Sequence, residues 1–141
     1  MASFNKFNIF VLDVSNGKHN LGSDTLKVML TNSAPVATNA VKADITDISA
    51  GNGYSAGGSQ ASQVSNTQTS GTEKLILGNV TFTASGGSIG PFRYCVLYND
   101  TQASPVKPLI GYYDYGTNLT ITAGNSFQVQ FDAVNGVLQL A

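Results

Sequence analysis

Charge is what this chain has least of: seven basic and eight acidic residues in 141, or 11%, against about 25% for an ordinary soluble domain. The net charge is -1, and no basic cluster exists to neutralise a phosphate backbone, so direct nucleic-acid binding is not expected. Cysteine is limited to Cys95 and histidine to His19. One thiol cannot close an intrachain disulfide, and one thiol with one imidazole cannot furnish the three or four ligands of a zinc site. Long apolar runs are missing as well. The opening stretch MASFNKFNIFVLDVSNGK is broken by Asn8 and Asp13, too short and polar for a membrane span or a good export signal. Synthesis in a cytoplasm without membrane association is the expectation, and the Asn-x-Thr sequons at Asn79, Asn99 and Asn118 then carry no weight.

What is present is 42% hydrophobic residues with abundant Gly, Ser, Thr and Asn. Low charge raises the tendency to associate, so the composition points to a surface covered by partners. At this length one domain spanning residues 1–141 can bury roughly 68% of its unfolded surface and needs no staples.

Residues 1–16 form a helix or an arm. Phe4, Phe7, Phe10, Val11 and Val14 have helical spacing, with Ser3 as N-cap and Gly17 beyond the end, yet the run Ile9 to Leu12 also suits a buried strand. The aromatic set Phe4, Phe7 and Phe10 can dock on a neighbouring copy as well as on its own domain. Deletion of residues 1–12 is therefore expected to weaken assembly more than folding. Leu26, Val28 and Leu30 alternate with Lys27, Met29 and Thr31 in a strand with one face to the core, and Val41, Ile45 and Ile48 suggest one or two helical turns. The chargeless stretch 48–72 reads as flexible loop with an edge strand near 59–67.

Further strands are predicted at 74–84, 92–99, 109–114, 118–121, 126–133 and 137–140, separated by turns at Gly86-Gly87, Asn99-Asp100, Pro105 to Pro108, Gly116, Gly124 and Asn135-Gly136. Asn-Gly between apolar runs predicts a hairpin over 126–140. Phe92, Tyr94, Val96 and Tyr98 alternate with Cys95 and Leu97, so that strand is covered on both faces. The pattern specifies an all-β fold, a jelly-roll-like two-sheet sandwich with at most one or two short helices.

Catalytic equipment is sparse. Cys95 lies in an apolar strand and His19 in a polar turn, a poor nucleophile and base. Asp44 and Asp47 read as a solvated face, and residues 86–90, GGSIG, as a glycine-rich turn rather than a nucleotide fingerprint. No catalytic residue, cofactor or metal site is assigned. Tyr112, Tyr113 and Tyr115 form the one aromatic cluster beside a carboxylate, suited to core, protein interface or sugar stacking, with Tyr113 and Tyr115 on one side of the strand and Tyr112 on the other.

The segments GKHNLGSDTLKVMLTNSAPVATNAVKADITDISAGNGYSAGG (17–58), FTASGGSIGPFRYCVLYNDT (82–101), PLIGYYDYG (108–116) and NGVLQLA (135–141), taken in order, resemble the cement, or head decoration, proteins of tailed double-stranded-DNA bacteriophages. The resemblance covers nearly the whole chain, although NIFVLDV is more β-branched than the opening helix of that group. It implies a jelly-roll protein made in the bacterial host cytoplasm and bound to the outer capsid surface of the virion, its partners the major capsid protein and itself, as a dimer before a trimer. A sugar-binding module of a phage fibre, or a tail or head-completion component, is the alternative.

Overall fold

The computed structural model describes residues 2–141. It is an all-β, sandwich-like fold with one α-helix. In chain order the elements are β1 (Phe4–Lys6), α1 (Asn8–Ser15), β2 (Leu26–Thr31), β3 (Ser59–Ala61), β4 (Gln63–Thr69), β5 (Thr72–Leu77), β6 (Val80–Thr83), β7 (Ile89–Asn99), β8 (Leu109–Ile121), β9 (Ser126–Val129) and β10 (Leu138–Leu140), with a single 3₁₀ turn at Lys42–Asp44.

One layer is a five-stranded sheet in the order β1-β8-β7-β2-β3. The facing layer is assembled from two pieces, β10-β5-β4 and β6-β9. Leu26, Val28, Leu30, Cys95, Leu97, Ile110 and Tyr113 of the first layer share one core with Leu75, Leu77, Val80, Phe82, Val129 and Phe131 of the second. The reverse face of the five-stranded sheet carries a smaller core of Phe7, Met29, Ile45, Val96, Tyr98 and Leu109. Strand β2 is therefore buried on both faces, not one: Met29 and Thr31 are as inaccessible as Leu30.

Several strands end elsewhere than their alternation suggests. The stretch 74–84 is two strands, because the Gly78 N–H bonds Ser62 O at 2.8 Å and Asn79 Oδ1 accepts the Phe131 N–H at 3.0 Å, which hands the chain from one piece of the layer to the other. Gly116 does not turn the chain back. Its N–H bonds Asp114 Oδ1 at 2.7 Å, and β8 runs on unbroken to Ile121. The hairpin expected over 126–140 is absent. Asp132 Oδ1 takes the N–H groups of Val134 and Asn135, each at 2.8 Å, and only Gly136 adopts positive φ, whereas a type I′ turn needs two such residues. Strand β9 pairs with β6 and β10 with β5 instead. In β7 a register shift between Phe92 and Tyr94 moves Phe92 onto the face of Cys95 and Leu97, away from Tyr94, Val96 and Tyr98.

The N-terminal segment is helical where the run Ile9 to Leu12 also suited a buried strand, and it opens with a short strand inside the stretch that helical spacing assigned to the helix. Phe4–Lys6 pairs with β8, Phe4 opposite Tyr113 and Lys6 opposite Gly111. Helix α1 then starts after Phe7, which occupies the N-cap position expected for Ser3. The interface role of Phe7 and Phe10 is corrected by their burial: at 0% and 1% exposure they belong to the chain's own cores and offer nothing to a neighbour. Phe4 is half-buried and packs on Tyr113, ring centroids 5.3 Å apart.

Stretch 48–72 is not a flexible loop. The Tyr54 hydroxyl donates to Asp47 Oδ1 and accepts the Leu30 N–H at 3.0 Å. Asp47 Oδ2 accepts the Gly57 N–H at 2.6 Å, and the Tyr98 hydroxyl donates to Gly57 O at 2.6 Å. Asp47 is thus the anchor of this segment rather than part of a solvated face.

Candidate functional site

The sheet divides the tyrosine cluster. Tyr112 sits on the reverse face beside Phe7, ring centroids 5.3 Å apart, and Tyr94. Tyr113 and Tyr115 lie on the opposite face, where Tyr115 meets Phe127 edge-on at 5.2 Å. A shallow depression of about 230 Å³ is lined by Ala2, Tyr113, Tyr115, Gln128 and Gln130. Tyr113 is only 6% exposed, and Tyr115 is half-buried. Burial raises the pKa of Tyr113 to about 12 and that of Tyr115 further. Sugar stacking requires a ring face open to solvent, and the Tyr113 ring is packed against Phe4 and Phe131.

Cys95 is buried, and desolvation pushes its thiol up to about 12, against a smaller opposing effect of the Tyr115 hydroxyl. A thiol reagent should therefore label the folded protein slowly and the denatured protein at once; rapid labelling under native conditions would show the site to be open. Cys95→Ser is expected to cost about 1–3 kcal/mol where the new hydroxyl finds no partner.

His19 is directed elsewhere. Its ring packs on Phe10 at 5.1 Å, and its Nδ1 is 3.0 Å from Asn99 Nδ2. Burial lowers its pKa, against the attraction of Asp13 and Asp24. Beside it lies a polar knot that sequence inspection missed. A single oxygen, Asp24 Oδ2, accepts the Asn20 N–H at 2.9 Å, Asn99 Nδ2 at 2.7 Å and Gln102 Nε2 at 2.8 Å. Gln63 Nε2 donates to Asp24 O at 2.6 Å. Burial opposes the charge on Asp24, but these donors outweigh it and hold the carboxyl below its ordinary range.

Four of the remaining acidic groups, Asp44, Asp100, Asp114 and Asp132, are similarly engaged. Asp44 Oδ2 accepts the N–H groups of Ala40 and Val41 at 2.9 and 3.1 Å. Asp100 pairs with Lys27 at 3.2 Å and Lys107 at 3.0 Å, and Asp114 with Arg93 at 2.8 Å. Asp132 caps its turn, Asp13 is buried at the helix, and Glu73 is half-buried, where desolvation raises its pKa. All eight carboxylates of the sequence are thereby accounted for as turn caps, ion pairs or buried groups. Among the described residues no three of His, Cys, Asp and Glu converge as metal ligands, and no helix is long and apolar enough to cross a membrane.

What the surface offers instead is neutral polar chain. From Gln63 to Gly71 all but two residues are exposed, and Val64 is 67% exposed. This segment is β4 with the turn to β5, and it carries no charged residue. Its signal in the sequence was the chargeless run itself. Compared with protein-family models, with curated proteins and with solved structures, the chain matches none.

Proposed function

We propose that this chain is a structural, non-enzymatic virion protein, a cement protein that binds the outside of an assembled phage capsid and stabilises the shell by bridging neighbouring major capsid proteins. The observation that carries the reading is the uncharged segment from Gln63 to Gly71, exposed at all but two positions, which presents amide, hydroxyl and scattered apolar groups. Such a surface desolvates at small cost when a partner covers it, because no free charge loses its hydration. The sequence resemblance supplies the kind of partner. The burial of Tyr113, at 6% exposure, weighs against the sugar-binding alternative.

A small cement buries a modest area on any one capsid subunit, and association must first overcome several kcal/mol of lost rigid-body freedom. An assembled lattice holds two or more sites at fixed separation, so the second contact is effectively intramolecular and avidity rises without stronger individual contacts. Binding to the lattice and little affinity for isolated capsid subunits follow. The test compares particles with and without the protein. Particles lacking it should assemble, lose DNA at a lower temperature, and regain heat resistance when purified protein is added back. Bare particles that are equally heat-resistant, or a protein that binds sugars and ignores capsids, would overturn the reading.

A further inference from the structure

The sandwich has several open sheet edges, and they are not alike. Strands β1, β3 and β10 are three residues each, and β6 and β9 four each. Short edges, and the Lys6 carried by β1, are the usual protection against strand addition. Strand β4 is the exception. It is seven residues long, QVSNTQT, lies at the edge of its sheet, and has no proline or charge. Its one irregularity is the register shift at Val64.

The turn beyond β4 fixes which backbone groups are open. Ser70 and Gly71 both have positive φ, 51° and 82°, and Thr69 stands opposite Thr72, the geometry of a two-residue type I′ hairpin. In such a hairpin the pair flanking the turn is hydrogen-bonded, and bonded pairs alternate from there. Thr69, Thr67 and Ser65 therefore bond to β5, while the N–H and C=O groups of Gln68 and Asn66 face away from it. No other backbone group among the described residues bonds them.

We propose that β4 pairs antiparallel with β4 of a second copy of this chain, about a twofold axis at Asn66. The self-pairing is favoured by the chemistry of the strand. An amide side chain carries both donors and an acceptor, so Asn66 can bond its own copy across the axis, which two carboxylates or two ammonium groups cannot. Each Gln68 then lies opposite the other copy's Val64, and no like charges meet. The pairing closes on itself, because the joined sheet ends at the three-residue β10 on both sides. A strand pair alone buries less than the 1,200–2,000 Å² typical of a stable interface. The dimer is therefore weak in free solution. The inference rests on the cement reading only in giving that reading its dimer, and it is tested without any capsid.

Sedimentation velocity of the isolated chain from micromolar to millimolar concentration should show monomer passing to dimer, with amide exchange at Asn66 and Gln68 slowing as the dimer forms. Asn66→Lys opposes two lysines at the axis and should hold the protein monomeric with an unchanged melting temperature; Val64→Lys serves should that variant fail to fold. A chain that stays monomeric to millimolar concentration overturns the proposal, as does a dimer whose protected amides lie outside β4 or that survives the lysine substitution. Loss of capsid binding with the dimer intact would instead count against the cement reading alone.

Discussion

A chain lacking residues 1–12 should fail to fold. This reverses the expectation from sequence that the segment serves assembly before folding. Phe7 and Phe10 are 0% and 1% exposed in two different cores, and removing a buried phenylalanine side chain typically costs about 3–5 kcal/mol. Together the two losses rival the whole stability of a domain this size, about 5–15 kcal/mol. The deletion also strips β1 from β8, uncovering Tyr113, which Phe4 shields. Circular dichroism of the truncated chain should show no cooperative thermal transition, whereas Phe10→Ala alone should melt cooperatively at a much lower temperature than the parent. A truncated chain melting within a few degrees of the full one would return the segment to the role of a detachable arm.

Gly58→Ala should destabilise the fold by about 3–5 kcal/mol, unusually severe for one added methyl group. Gly58 has φ +81°, and a Cβ built there would stand 1.7 Å from Val28 O and 2.8 Å from Met29 Cα. Both obstacles are backbone of a strand buried on both faces, so no side-chain rotation relieves the clash, and β3 would have to leave β2. Gly17→Ala is the control. Its φ is +69° with nothing within 4 Å, so it bears only the left-handed conformation, about 1–2 kcal/mol. Urea denaturation of the two variants should separate them clearly; equal losses would mean that conformation, not the close approach to Val28, governs the site.

The sequence made legible what depends on local alternation. Leu26–Thr31 emerges as a strand, and the coverage of both faces of β7 is as read. What failed depends on groups far apart in the chain. Asn135-Gly136 looks like a hairpin turn until Asp132 captures its amides and Leu75 O takes the Val137 N–H at 2.8 Å. The apparent loop before Thr72 is fixed by Asp47 and Tyr54, a pair whose meaning depends on Leu30, a strand away in sequence. Phe92 changed faces through a bulge that leaves no mark in its alternation pattern. The tyrosines were rightly assigned to opposite sides of β8, but their burial depended on where Phe4, Phe7 and Phe127 would land.

The Asp24 carboxylate joins the approach to β2, the end of β7 and the loop after it through one oxygen atom. Three connections that would otherwise breathe independently are thereby made a single cooperative unit. Opening any one strands a charged acceptor for the others, so this end of the sandwich behaves thermodynamically as one clasp, closed or released as a whole.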